Sequence, residues 1–200
     1  MIIVDYGVGN IASQINMFDH VGVVAEATSD PERIRTADKL ILPGVGAFDK
    51  AMRELGERGL IEPIRAAAAR GAPLMGVCLG MQLLARGSEE GQLPGLGLID
   101  ADVVRISDNM GVKVPHIGWA DVDLIGSSPI AAGADAAERF YFVHSYHVVC
   151  DRPEDVAGTI DYGGKICVAV SRGNIHGVQF HPEKSHRFGM RLLRAFADLS

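Results

Sequence analysis

Short apolar runs closed by turn signals set the pattern of the first half of the chain. Ile2-Ile3-Val4 runs into Asp5 and a glycine-rich segment. Val23-Val24 lies within Gly22–Ala25, Leu40-Ile41-Leu42 stops at Pro43-Gly44, and Leu74–Cys78 stops at Leu79-Gly80. Runs this brief, apolar throughout and bounded by turns fit strands buried on both faces of a parallel sheet. Between them apolar positions recur at helical spacing, over roughly Asn10–His20, over Phe48–Arg70 with a break near Gly56–Gly59, and over Leu79–Arg86. Strand–helix alternation predicts right-handed crossovers and an α/β layered domain.

The second half changes character. Ala101–Ile106, Arg139–Tyr146, His147–Cys150, Gly158–Tyr162, Ile166–Ser171 and Asn174–Phe180 read as strands. Tyr162-Gly163-Gly164 and Arg172-Gly173-Asn174 read as hairpin turns. A final helix spans about His186 to Leu199, with Phe188, Leu192, Leu193 and Phe196 on one stripe. There is no internal repeat and no linker rich in Pro, Gly or Ser. The prediction is one α/β domain over residues 1–200: a mostly parallel sheet flanked by helices, extended by an antiparallel portion in the C-terminal half.

Composition narrows the function. Of 200 residues, 48 % are hydrophobic and 22 % charged, an ordinary globular balance that excludes disorder. The net charge of −6, with no Lys/Arg cluster, argues against nucleic acid and anionic membrane surfaces as partners. The apolar stretches fall far short of the ~20 residues of a membrane helix, and MIIVDYG lacks the features of a leader, so the expected location is cytoplasmic. Cys78, Cys150 and Cys167 are too few for a disulfide framework and sit at no zinc spacing, so no metal site is expected. Cys150 and Cys167 lie in strand-like runs and read as packing residues.

Two glycine patterns compete for the chemistry. Gly7-Val8-Gly9-Asn10-Ile11-Ala12 fits G-x-G-x-x-A between a strand and a helix, with the acidic Glu26 downstream. That is the dinucleotide-binding spacing, but βα turns of any doubly wound fold favour glycine, and no cofactor is expected from it. Gly76-Val77-Cys78-Leu79-Gly80 is more specific: G-x-C-x-G between an apolar strand and a helix is the nucleophile-elbow pattern with cysteine for serine. The flanking glycines leave room for a sharp turn, and the following helix start favours thiolate.

A thiol nucleophile needs a base, and the base needs an orienting group. Among seven histidines, His181 ends a strand and is followed by Pro182-Glu183. Glu183 can hold one imidazole nitrogen and aim the other at the thiol, giving a Cys78–His181–Glu183 triad. The Leu79 N–H, directly after the nucleophile, is one oxyanion donor. The loop Pro43-Gly44-Val45-Gly46 is the candidate for a second. His144 and His147, an odd offset apart, are expected on opposite sheet faces as ordinary histidines. His20 suits a last helical turn, and His186 the start of the final helix.

Taken together these segments resemble the class I (triad) glutamine amidotransferases and, within them, the glutaminase subunits of imidazole glycerol phosphate synthases. The resemblance covers essentially the whole chain. It runs from DYGVGN (Asp5–Asn10) with Ser13, through LPGVGAF (Leu42–Phe48) and GVCLGMQLL (Gly76–Leu84), to PHIGW (Pro115–Trp119), YFVHSYH (Tyr141–His147) and GVQFHPEKS (Gly177–Ser185). It implies a flavodoxin-like fold and hydrolysis of glutamine to glutamate and ammonia through a thioester on Cys78. It further implies that Gln82, Gly46, Ser145 and Tyr146 hold the substrate and that a turn of the PGVG loop supplies Val45, beside Gly44, to the oxyanion. The implied partner is a (β/α)8-barrel cyclase in a heterodimer, receiving ammonia to make imidazole glycerol phosphate and an aminoimidazole carboxamide ribonucleotide in histidine biosynthesis. Asn10, Ser13, Trp119, Tyr141 and Lys184 match positions that face that partner.

The chain departs from the usual P-H-M-G-W-N in carrying Ile117 and Ala120. A paralogous glutaminase feeding another synthase, for amidine formation on surface-polysaccharide sugars, therefore stays open. A scaffold that only binds a partner would have no reason to keep the triad and both glycine loops.

Overall fold

A computed structural model describes residues 1–125, 127–134 and 138–199. The first half alternates as β1 (Ile2–Val4), α1 (Ile11–His20), β2 (Glu26–Thr28), α2 (Pro31–Arg35), β3 (Leu40–Gly44), α3 (Phe48–Glu57), α4 (Ile61–Ala69), β4 (Leu74–Cys78) and α5 (Leu79–Leu83). The second half is built of strands: β5 (Ala101–Arg105), β6 (His116–Leu124), β7 (Glu138–His144), β8 (Tyr146–Cys150), β9 (Val156–Asp161), β10 (Lys165–Arg172) and β11 (Ile175–Val178), closed by α6 (His186–Ala197).

The strands join in the order β2-β1-β3-β4-β11-β10-β9-β6-β7, with β5 and β8 attached as a pair beside β10. From β2 to β11 the ladder is parallel; from β11 onward it is antiparallel. Along β3 the side chains alternate between two cores. Leu40 and Leu42 pack with Leu55, Ile64 and Leu74 beneath α3 and α4. Ile41 packs with Phe18, Phe180, Leu193 and Phe196 beneath α1 and α6. A strand covered on both faces has no polar side, which is why these segments are uniformly apolar.

This topology places the chemistry. β4 lies between β3 and β11, parallel to both, with Gly44 in register with Cys78 and Gly177 with Gly76. The carboxyl ends of three strands distant in sequence therefore meet at one sheet edge, the usual place for ligands in open α/β sheets.

Several elements differ from the sequence reading. The strand expected at Gly22–Ala25 lies at Glu26–Thr28: Gly22 turns at φ +73, and Val24 is left 88 % exposed. α2 was not expected, although Asp30 caps it by accepting from the Glu32 N–H at 2.9 Å and Pro31 opens it. α5 stops at Leu83 rather than Arg86. β6 was read only as a motif, yet its buried and exposed positions alternate as a half-exposed strand should. The break between β7 and β8 falls at Ser145. Both glycine hairpins form where the turns were read, closing Asp161 on Lys165 and Arg172 on Ile175. No helix among the described residues is long and apolar enough to cross a membrane.

Candidate active site

Cys78 sits at φ +56, ψ −114, a conformation that side-chain-bearing residues rarely adopt. Its neighbours explain how the turn closes. A Cβ on Gly76 would stand 2.4 Å from the Gly80 carbonyl oxygen, and one on Gly80 would stand 1.9 Å from the Leu42 carbonyl oxygen. Neither position has room for a side chain, so the two glycines let the strand, the turn and α5 close on one another around the cysteine. The thiol is nearly buried and lines a cavity of about 440 Å³.

His181 follows β11 and lines the same cavity. Its Nδ1 lies 2.8 Å from Glu183 Oε1, which leaves Nε2 as the ring nitrogen available to Cys78 in the shared cavity. Burial pulls the imidazole toward the neutral form, but Cys78 and Glu183 together outweigh it and raise its pKa to about 9. Pro182 starts a single 3₁₀ turn that folds the buried Glu183 back onto the ring. His181 is fastened on the backbone too: its N–H donates to the Tyr141 carbonyl at 3.0 Å, and its carbonyl accepts from Ser185 Oγ at 2.6 Å.

Across the cavity stand Val45 and Gly46, with Gly46 at φ +91. Gly44 lies one step behind the wall, where a Cβ would meet the Gly80 nitrogen at 2.8 Å. The buried Tyr6 donates its hydroxyl to the Pro43 carbonyl at 2.6 Å and so holds the end of β3; burial, with Cys78 nearby, pushes its phenol well above the usual range. Leu79 is the first residue of α5, so its N–H has no acceptor within the helix. The glycines of the first βα turn have a packing role: a Cβ on Gly9 would stand 3.0 Å from Pro43 Cβ.

Gln82, Ser145 and Tyr146 complete the expected wall. The Gln82 amide donates to the Tyr146 carbonyl at 3.3 Å and to Gln179 Oε1 at 2.9 Å. Gln179 and Glu90 also line the cavity and were missed from sequence. Gln179 carried a signal, a polar residue inside the apolar run Val178-Gln179-Phe180. Glu90 carried none: Ser88-Glu89-Glu90-Gly91 looks like any solvated turn, yet it folds over so that Glu90 Oε2 accepts from the Phe48 N–H at 2.9 Å.

His144 is a wall residue as well, rather than a bystander. Its Nδ1 stands 2.8 Å from the Tyr146 carbonyl and its Nε2 3.2 Å from His116 Nδ1. A carbonyl only accepts, so the proton lies on Nδ1, and Nε2 accepts from His116. Burial is the main reason that the His144 pKa is pulled down to about 4.

The expected partner-facing residues gather on one side. Trp119 and Tyr141 pair across β6 and β7 with ring centroids 5.9 Å apart. Lys184 Nζ lies 5.8 Å above the Tyr141 ring, and His186, at the start of α6, stacks on Trp119 at 5.5 Å. Ser13 and Lys184 line one hollow between α1 and α6, and Asn10 is exposed at the start of α1. Ala120 alternates inward, away from Trp119, and packs half-buried against the core of Phe140 and Val122. Its departure from the usual asparagine therefore lies off the exposed face. Cys150 and Cys167 are free, half-buried cysteines of β8 and β10, strands that pair with each other.

With this geometry in hand, a profile of the family described as glutamine amidotransferase class-I matches residues 2–198. A protein of Pseudomonas aeruginosa named imidazole glycerol phosphate synthase subunit HisH 2 is 49 % identical over 200 residues, covering 100 % of this chain and 99 % of that one. A protein of Syntrophotalea carbinolica named imidazole glycerol phosphate synthase subunit HisH is 46 % identical over 205 residues, covering 100 % of both. Among solved structures, PurLQS from Thermotoga maritima superposes with a TM-score of 0.76 over 98 % of this chain and 95 % of that one. Its 20 % identity makes that a likeness of fold.

Proposed function

The chain belongs to the class-I glutamine amidotransferase family, and from that premise we propose that it is the glutaminase subunit of an imidazole glycerol phosphate synthase in histidine biosynthesis. The observation that carries the chemistry is the alignment of Cys78, His181 and Glu183 at the mouth of β4, beside a cavity lined by the Glu90 carboxylate. The full-length relatives carry the assignment to the pathway.

His181 takes the Cys78 proton, and the thiolate attacks the side-chain carbonyl carbon of glutamine. Negative charge gathers on the carbonyl oxygen, where the Leu79 N–H meets it and the Val45 N–H joins when the Gly44–Val45 peptide faces inward. The C–N bond breaks, His181 returns the proton to the leaving nitrogen, and ammonia departs from a thioester. Water, deprotonated by His181, then attacks the thioester, and glutamate leaves as the proton returns to sulfur. Glu183 holds the imidazole tautomer and stabilises the imidazolium.

The substrate's α-amino end suits Glu90 and the Gln82 carbonyl oxygen, and Ser145 and Tyr146 close the far wall. Ammonia at neutral pH is mostly ammonium, which is no nucleophile, so a shielded exit into a partner preserves it. The partner in this reading is a (β/α)8-barrel cyclase seated over Trp119, Tyr141, Lys184, Ser13 and Asn10. The half-buried, inward position of Ala120 keeps that departure off the exposed face, which supports the histidine-pathway partner. The test is glutamate release by the chain alone and with such a cyclase and its ribonucleotide substrate.

A further inference from the structure

The triad leaves one contact of the nucleophile unexplained. Gln179 Nε2 lies 3.9 Å from Cys78 Sγ, and Gln179 is fully buried. On the reading that Cys78 is the nucleophile, we propose that Gln179 is a donor to its sulfur, aimed there by Gln82 and the Tyr146 carbonyl.

The direction of this chain is fixed at a backbone atom. The Tyr146 carbonyl only accepts, so the Gln82 atom 3.3 Å from it is the amide nitrogen. That same nitrogen faces the next amide at 2.9 Å, so the Gln179 atom it meets is the carbonyl oxygen. The Gln179 nitrogen is thereby turned to the sulfur. Reversing Gln179 would set two N–H groups against each other and an oxygen against the thiolate. Both N–H bonds of Gln82 are engaged in this, which leaves its Oε1 as the group offered to substrate. Gln82, Gln179 and Cys78 are 5 %, 0 % and 7 % exposed, so little water competes with the chain and its electrostatic weight is kept.

The contact acts whenever charge rests on sulfur. When the Cys78 proton passes to His181, the electron pair left on Sγ is met by the Gln179 N–H. When the thioester C–S bond breaks in the second half-reaction, the pair returns to Sγ and meets the same donor. Gln179 therefore raises the share of thiolate before attack and stabilises the leaving thiolate afterwards.

The experiment is the rate of Cys78 alkylation by iodoacetamide against pH, on the full chain without glutamine, followed by mass mapping of the Cys78 peptide. Gln179→Leu is expected to react about fivefold more slowly at pH 7, as the loss of one donor to a charged group at long range predicts. Its profile should lie at higher pH yet reach the native rate on the alkaline plateau, where the thiol is ionised in either protein. Gln179→Glu keeps the shape and sets a carboxylate beside the sulfur, so its profile should move further the same way. Profiles that coincide with the native one overturn the proposal. So does an equal slowing at every pH, which would mark a purely structural role. Displaced profiles in a chain that releases no glutamate would keep the donor and remove the glutaminase reading.

Discussion

His181 donates its backbone N–H to the carbonyl of Tyr141 at 3.0 Å, so its imidazole hangs from the strand whose outer face carries the exposed aromatic pair. Ser185 completes the clamp: its Oγ donates to the His181 carbonyl at 2.6 Å and accepts from the Tyr141 N–H at 3.1 Å. In the proposed assembly, a partner seated on Tyr141 would press on a strand bonded directly to His181.

Ser185→Ala would take one donor from the His181 carbonyl, which keeps the Lys184 N–H at 3.0 Å, and leave the part-buried Tyr141 N–H without its acceptor. The expected cost is about 1–3 kcal/mol of stability, together with a fall in partner-stimulated glutamate release. Urea denaturation and a stimulated assay measure the two. Unchanged values in both would mean that the clamp carries nothing.

The strain at Cys78 predicts an order between two inactive variants. Cys78→Ala keeps a Cβ at φ +56, whereas Cys78→Gly does not. Cys78→Gly should therefore be the more stable of the two by about 1 kcal/mol, against the usual penalty of glycine in the unfolded chain. Denaturation midpoints decide it, and Cys78→Ala being the more stable would show an unstrained elbow.

Two buried histidines predict acid sensitivity. His144 and His176 both have pKa values pulled down to about 4 by burial, from 6.5. A lowered folded value means that the unfolded chain binds more protons, so their stabilisation is present above pH 6.5 and is lost as pH falls toward 4. His181 has the opposite sign: raised to about 9, it contributes fully below pH 6.5 and loses that contribution as pH rises through 9. Stability measured by urea should thus fall on both sides of neutrality. His176→Leu should flatten the acid limb, and an unaltered limb would contradict the assignment.

Trp119 is 43 % exposed and leans on Tyr141 and His186 rather than on the core. Trp119→Ala should change the stability of the isolated chain by less than about 1 kcal/mol while weakening cyclase binding at least tenfold. Calorimetric titration with the cyclase tests this, and native affinity would move the contact elsewhere.

What the sequence made legible followed local rules. The glycines around Cys78, the Pro182 turn beside His181 and the two glycine hairpins could be read because each depends on a few adjacent residues. β2 was displaced because Val23-Val24 has strand composition, while Gly22 keeps the chain turning and the ladder with β1 begins only at Glu26. β6 is hidden by Pro115 and Gly118, which interrupt the apolar and polar alternation of its first residues. Glu90 and the His116–His144 contact were out of reach for another reason. They join segments far apart in the chain, and only the folded sheet edge brings them together.

The central claim is a glutaminase directed by a cyclase partner, and glutamate release from glutamine tests it most directly. The account predicts slow release by the chain alone, strong stimulation by a histidine-pathway cyclase with its ribonucleotide substrate, and none from Cys78→Ala under either condition. Native release by Cys78→Ala would contradict the triad. A cyclase that binds nothing and stimulates nothing, while Cys78 still reacts with a glutamine-analogue inhibitor, would contradict the partner.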